Sequence, residues 1–122
     1  MAGTLVISTL SDGTNSTSAT NPIRGSAKVW VNFDGTTGTI RSSFNVSSVT
    51  RVSTGDYTVS FTTALGDANY SALVTCGGQS VTERTILGTA YSLASASTKA
   101  NASIASNAAY YDPNLVCVAC FR

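Results

Sequence analysis

The side chains able to carry out chemistry are few in this 122-residue chain, and their spacing favours structural roles. Histidine, the commonest general base and metal ligand, is absent. Six acidic residues stand apart from one another, most of them beside Gly, Pro or Asn: Asp12, Asp34, Asp56, Asp67, Glu83 and Asp112. Asp in such surroundings typically forms turns, so the pattern predicts turn formers rather than a catalytic carboxylate pair. We expect a protein that is not an enzyme; a carboxylate-based glycan hydrolase is the alternative.

The three cysteines, Cys76, Cys117 and Cys120, suggest buried thiols rather than a reactive site. The C-x-x-C spacing of the last two would suit a redox pair or half of a zinc site. In an extended strand, however, residues three apart point to opposite faces, and a zinc site needs about four ligands. An odd count also does not fit a secreted disulfide framework. We expect reduced core cysteines, and neither a metal nor another cofactor.

Tyr110 and Tyr111 are the candidate receptor-binding residues. They follow a polar stretch and flank a turn, whereas the other aromatic residues mostly lie within alternating segments typical of strands. Aromatic side chains outside such segments can form an adhesive surface. Ordinary packing of both tyrosines is the alternative interpretation.

Short β-strands separated by turns account for most of the chain. Residues 26–33 alternate strictly, with Val29, Val31 and Phe33 on one side and Lys28 and Trp30 on the other. Further β segments are predicted between Gly, Asp and Asn turns, at 39–44, 46–52, 57–62, 70–76 and 115–121, with weaker candidates at 81–87 and 89–93.

Two segments are harder to assign. Residues 92–109 are rich in Ala and Ser and lack a wide apolar stripe, which predicts a long irregular stretch with room for one strand. Residues 115–121, LVCVACF, form a nearly continuous apolar run, which is typical of a strand buried on both faces. Such a strand is easiest to explain if a second layer or another subunit covers it.

These elements predict an all-β fold, an antiparallel β-sandwich that is jelly-roll-like or related, with an extended N-terminal arm. We divide the chain into an arm and linker, residues 1–24, and a sandwich domain, residues 25–122. In the arm, residues 4–10 are a first strand or an anchoring segment, and residues 11–22 are a polar linker.

The amino-acid composition and charge limit the kinds of partner that we expect this protein to bind. Charged residues make up 11% of the chain, less than half the usual share, and Ser, Thr, Asn and Gly take their place. The formal net charge is +1 and the basic residues are dispersed, which argues against a nucleic-acid partner. The sequence offers no signal peptide and no apolar run of about 20 residues, so we expect synthesis in the cytoplasm without membrane insertion.

Several segments together resemble a module common in tail-fibre and other virion proteins of tailed phages. They are GSAKVWVNF at 25–33, IRSSFNVSSV at 40–49, TGDYTVSF at 54–61, DANY at 67–70 and the closing VCVACFR. The resemblance implies a trimeric, β-rich tip on the virion surface. It departs from the module in the short 34–38 segment and in Leu65-Gly66, where the module often has a Pro, so it implies no particular ligand.

The expected function is therefore that of a phage virion structural protein, made in the host cytoplasm and located in the virion. The first hypothesis is a homotrimeric, fibre-like tail appendage that attaches to the host through a surface glycan or protein, with residues 1–24 joining other virion proteins. The second is a capsid decoration protein, of the cement or head-fibre kind, that stabilises the phage head.

Overall fold

A computed structural model describes residues 3–77 and 86–122, which form an N-terminal arm followed by two antiparallel sheets. The elements in chain order are β1 (Thr9–Ser11), β2 (Ser16–Ser18), α1 (Thr20–Gly25), β3 (Ala27–Phe33), β4 (Ile40–Phe44), β5 (Val46–Ser53), β6 (Asp56–Phe61), β7 (Ser71–Gly77), β8 (Ile86–Ala94), β9 (Ser97–Ile104) and β10 (Leu115–Phe121). The predicted all-β antiparallel sandwich is confirmed.

Each sheet of the sandwich has four strands. Sheet 1 has the order β4-β3-β10-β7, and sheet 2 has the order β5-β6-β9-β8. The final strand β10 lies between β3 and β7 and pairs antiparallel with both. The last strand of sheet 1 in the sequence, β10, therefore lies beside the first, β3.

The core lies between the central strands of the two sheets. Alternate residues point inward because side chains along a strand alternate between faces. Sheet 1 contributes Val29, Val31, Phe33, Val116, Val118 and Cys120, and sheet 2 contributes Tyr57, Val59, Phe61, Thr98, Ala100 and Ala102. The Phe33 and Tyr57 rings meet edge to face across the layers, with centroids 5.1 Å apart. Burial of these apolar side chains is the main force holding the layers together.

Asn45 carries the chain from sheet 1 to sheet 2. Its φ of 57° is left-handed, a conformation that Asn tolerates better than most residues. Its side-chain amide donates to the carbonyls of Lys28 (3.2 Å) and Thr63 (3.0 Å), and its oxygen accepts from the Thr63 N–H (2.7 Å). These bonds fix the angle at which β4 turns into β5.

The prediction of a mostly irregular stretch at 92–109 understated its order, because β9 is a full central strand of sheet 2. Its inward positions are Thr98, Ala100 and Ala102, all of them buried. These residues are too small to give the apolar alternation that marked the other strands. Small residues fit here because large rings, such as Tyr57, fill the same layer from β6.

The polar linker prediction for 11–22 also needs correction. The segment contains β2 and most of a hairpin with β1, in which the Asp12 carboxylate accepts the N–H groups of Thr14 (2.9 Å) and Asn15 (2.7 Å). Helix α1 begins before the end of this tract. Local Asx and turn hydrogen bonds, rather than a core, order this part of the arm. Within the described ranges, no helix combines the length and apolar character needed to cross a membrane.

Strand β10 is buried on one face only, contrary to the expectation of burial on both. Val116, Val118 and Cys120 lie in the core. Leu115 is exposed, and Cys117, Ala119 and Phe121 are half-buried on the other face. In a single chain, the apolar run therefore leaves one side within reach of solvent.

Candidate functional site

Among the described residues, three connections meet at the end of the sandwich opposite the point where the arm joins β3. The chain enters β3 from the arm, so the turn 34–39, the β5–β6 turn and the loop 105–114 all lie at the opposite end, which we call the loop end. The end where β3 begins and β10 finishes is the arm end.

Asp112 fastens the loop 105–114 to sheet 2. One carboxylate oxygen accepts from the Gly55 N–H (2.8 Å) and the Tyr57 hydroxyl (2.8 Å). The other accepts from two nitrogens of Arg51, at 3.1 and 2.6 Å. Burial pushes the pKa of Asp112 upward, but these donors outweigh it and the pKa falls below its usual value. A single charged side chain thus joins both ends of the β5–β6 hairpin turn to the loop.

Two glycines allow the close approach that this arrangement needs. A Cβ on Gly35 would lie 2.3 Å from the Pro113 carbonyl oxygen, which instead accepts the Gly35 N–H at 2.9 Å. Gly55 has a φ of +65°, and a Cβ there would lie 2.4 Å from the Ala102 carbonyl oxygen. Only glycine fits at both positions without a shift of backbone, so the loop packs directly on the neighbouring turns.

The structure separates the two tyrosines that the sequence grouped. Tyr110 pairs with Ser103 and is 60% exposed on the outer face of sheet 2. Tyr111 is half-buried, and its N–H donates to the Ala102 carbonyl (3.1 Å). Tyr110 is therefore the one available to a large ligand. The receptor-binding role of either residue stays a prediction.

Tyr110 continues an ordered group of side chains that we call the tyrosine patch: Tyr91, Tyr110, Asp56, Lys99 and Asn101. Register places Asp56 opposite Asn101 and Lys99 opposite Tyr91 on the outer face of sheet 2. The Tyr91 hydroxyl donates to Asp56, and the Lys99 ammonium lies 5.7 Å from the Tyr91 ring centroid. The hydrogen bond to Asp56 is the main cause that raises the pKa of Tyr91 to about 12. The phenol therefore keeps its proton at neutral pH.

Sequence reasoning missed Tyr91, Asp56 and Lys99 as members of one surface. In 97–103, Lys99 and Asn101 alternate with small residues. This alternation was the available signal that the two polar side chains share one face of a strand. Without the strand assignment of β9, nothing related these side chains to Tyr110.

The outer face of sheet 1 has a different chemistry. Register aligns one residue from each strand into a row, which we call the apolar row: Phe44, Trp30, Ala119 and Leu73. Phe44, Trp30 and Leu73 are all exposed in the single chain, Leu73 at 52%. Since Ala119 is much smaller than Trp30 and Leu73, a furrow of about 470 Å³ runs between them. Cys117 and Thr75 extend its floor.

A larger groove of about 620 Å³ lies at the arm end, lined in part by Lys28, Phe44, Leu65 and Arg122. Its cations already have partners within the chain. Lys28 donates to the Ile23 carbonyl and to Ser26 Oγ (2.8 Å), and Arg122 pairs with Asp67 at 2.8 Å. The groove therefore offers little unsatisfied charge to a ligand.

The cysteines occupy different environments. Cys120 is buried in the core and Cys117 lies half-buried on the outer face of sheet 1, on opposite sides of β10. Cys76 is half-buried and packs against the core, so the expectation of core thiols fails for Cys117 alone among the three. Burial raises the pKa of both Cys76 and Cys120 to about 11, which keeps them protonated. Across the described ranges, no three Cys, Asp or Glu side chains come together as a metal site.

Arginines pair with three of the acidic residues predicted as turn formers. Asp34 accepts from Arg41 at 3.0 Å, Asp112 from Arg51 and Asp67 from Arg122. Hydrogen bonds from Thr36 lower the pKa of Asp34, and the Asn69 N–H lowers that of Asp67. Glu83 lies outside the described residues. The paired carboxylates serve turns and loop ends.

Comparison with known proteins gives no relative from which to infer a role. The chain matches no family model, no curated protein and no solved structure.

Proposed function

We propose that this chain is a structural protein of a bacteriophage particle, a fibre-like tail appendage that acts as a homotrimer in host attachment. The observation that carries the proposal is the apolar row on the outer face of sheet 1, left exposed in the single chain together with an apolar arm. The resemblance of several segments to phage tail-fibre modules supports the same assignment.

The apolar row supports self-association. Its four residues, one from each strand, form a continuous stripe across the sheet. Such apolar stripes are seldom left exposed to water. A second and third copy packed around a three-fold axis would cover the stripe with identical surfaces. A stable interface buries about 800 Å² per partner, more than one row supplies, so flanking residues such as Leu115 and Phe121 would also take part.

The arm supports attachment to another virion protein. Leu5 is 81% and Val6 89% exposed, and neither packs against the sandwich. Ile7, Leu10 and Ile23 add to this apolar surface. Exposed apolar side chains of this kind are suited to dock on a partner, whose surface would remove them from water.

The two ends of the sandwich fit an attached appendage. The arm leaves from one end, whereas the loops fastened by Asp112 lie at the other. Residues 1–24 would then face the particle and the loop end would face the host. Host surface glycans or proteins are the proposed ligands of that end.

A capsid decoration protein is the second candidate, because an exposed apolar arm would equally clamp neighbouring head subunits. Copy number separates the two functions. A tail appendage is expected at a few dozen copies per particle or fewer, and a decoration protein at several hundred.

Two measurements test the proposal. Native mass spectrometry of the purified chain should give a trimer at micromolar concentration; a monomer would contradict the shared apolar row. Quantitative mass spectrometry of purified particles, with immunogold labelling, should find the chain on the tail in low copy number. Its absence from the particle would overturn the virion assignment, and labelling of the head would favour the decoration protein.

A further inference from the structure

We infer that the tyrosine patch is a carbohydrate-binding site, with Tyr110 as its principal aromatic contact. The inference rests on the proposed role in host attachment and names the ligand class and residues that would carry it. Its ligand would be a hydroxyl-rich pyranose of a bacterial surface polysaccharide.

The first support is the spacing of the patch. Three successive rows on the outer face of sheet 2 run from the middle of the sheet toward the loop end. The rows are Thr58, Lys99 and Tyr91, then Asp56, Asn101 and Thr89, then Tyr110, Ser103 and Leu87. Rows lie about 7 Å apart and strands about 4.8 Å apart, so the patch covers an area suited to two or three sugar rings.

The second support is chemical composition. A pyranose has apolar C–H groups on its ring faces and hydroxyls around its rim. The exposed ring of Tyr110 supplies an aromatic face, which contributes binding energy without a charge. Asp56 accepts hydrogen bonds, Lys99 donates them, and the Asn101 amide does both, so neighbouring hydroxyls of either polarity find partners.

The third support is that the patch is already held in place. Tyr91 is fixed by its hydrogen bond to Asp56 and by the Lys99 ammonium beside its ring. Tyr110 belongs to a loop joined to sheet 2 by Asp112 and by the Tyr111 N–H. Binding would therefore order few side chains, which matters for a ligand that makes only a few hydrogen bonds.

Other ligand classes fit the patch less well. The charges of Asp56 and Lys99 cancel, which disfavours a polyanion such as nucleic acid. Large apolar side chains are scarce there, and the area is well below the about 800 Å² per partner of a stable protein interface. The same outer face lacks the continuous apolar stripe found on sheet 1.

The test is binding of the purified trimer to an array of bacterial capsular polysaccharides and O-antigens. Tyr110→Ala is expected to weaken binding about tenfold or more per site. Tyr110→Phe, which keeps the ring, should stay within about threefold of the unmodified protein. Thr50→Ala is the matched control, because Thr50 lies on the same outer face, at the far edge of the Tyr91 row. It should bind as the unmodified protein does.

Absence of binding to every polysaccharide, or equal binding by Tyr110→Ala and the unmodified protein, would overturn the inference. Saturable binding to a host outer-surface protein but to no polysaccharide would overturn it in favour of a protein ligand. Particle composition and trimer mass are measured on the same variants. A chain found in the particle that binds no sugar refutes only this inference, whereas a sugar-binding chain missing from the particle refutes only the virion assignment.

Discussion

The two sheets of the sandwich both have apolar inner faces, but their outer faces differ in polarity. On sheet 1 the middle row across the outer face is Phe44, Trp30, Ala119 and Leu73. On sheet 2 the corresponding row is Thr50, Thr58, Lys99 and Tyr91. Both rows cross four strands, but one is apolar and the other can form hydrogen bonds with water at every position. The core therefore does not determine what the outer faces carry.

For the proposed trimer, this difference predicts that the outer face of sheet 1 supplies the contact between copies. An exposed Leu or Trp standing alone is ordinary, but an aligned stripe on one sheet and none on the other is a directional signal. In the proposed assembly, the polar face of sheet 2 would limit association to one side of the molecule. A sandwich that was apolar on both outer faces would stack without end, whereas one apolar face permits a closed assembly.

The largest predicted effect follows from placing a charge on the apolar row. Leu73→Glu should convert the proposed trimer into a monomer, because three carboxylates would have to be buried near the shared axis. Leu73 is 52% exposed in the single chain, so the monomer should keep its fold and its circular dichroism spectrum. Native mass spectrometry measures the change.

The matched control for that change is Thr50→Glu. Thr50 also lies on the outer face of an edge strand, but on sheet 2. It should leave the trimer intact. If both variants dissociate the trimer, or neither does, the contrast between the two faces has no bearing on assembly.

The second effect concerns Asp112, which holds the loop 105–114 against sheet 2. Asp112→Ala removes the acceptor of the Gly55 N–H, the Tyr57 hydroxyl and Arg51, and it should lower the free energy of unfolding by about 2 to 3 kcal/mol. Hydrogen exchange in 105–114 should rise, while the trimer mass is unchanged. Urea denaturation measures the free energy.

Asp67→Ala is the comparison for Asp112→Ala. Asp67 also pairs with an arginine, but both side chains are more than 40% exposed, so its loss should cost less than about 1 kcal/mol. Equal losses for the two variants would mean that the loop is not fastened by Asp112.

The sequence was sufficient for the parts of the fold in which large apolar residues alternate. The strands β3 and β6 were predicted because Val, Phe and Tyr recur at every second position, and β10 was predicted from its nearly continuous apolar run. Strand β9 was not, since Thr98, Ala100 and Ala102 resemble a loop or a helix until the large side chains opposite them are known. Small inward residues are meaningful only in tertiary context.

The candidate sites show the same limit. Tyr110 was identifiable because it stands outside any alternating segment, but its partners in the patch come from three separate strands. Register decides which polar residues share a face, and a single sequence does not contain the pairing of β6 with β9. For the apolar row, the only indication in the sequence was the nearly continuous apolar run of 115–121, which contains Ala119. The sheet order was needed to show that Phe44 and Leu73 lie in the same row as Ala119.

The third effect is a pH dependence of the unfolding free energy that comes from the Asp112 carboxylate. Its pKa is lower in the folded protein than in the unfolded chain, where it is about 3.9, so the stability it contributes is present above that pH. As pH falls through the folded pKa, this contribution is lost. The difference in unfolding free energy between the unmodified protein and Asp112→Asn should therefore be large at pH 6 and shrink steadily below about pH 4. A difference that stays constant down to pH 2 would show that the carboxylate charge is not what holds the loop.

The smallest effect is expected at the tyrosine patch itself. Tyr91→Phe removes the hydrogen bond to Asp56 but keeps the ring beside Lys99, and it should change the free energy of unfolding by less than about 1 kcal/mol, because water replaces the lost partner. Thermal denaturation of the variant and of the unmodified protein measures this change. A loss of several kcal/mol would make the polar row part of the structural framework, like Asp112. A small loss instead means that the hydrogen bond between Tyr91 and Asp56 is not needed for folding, as the inferred carbohydrate site requires of a residue that serves binding rather than the framework.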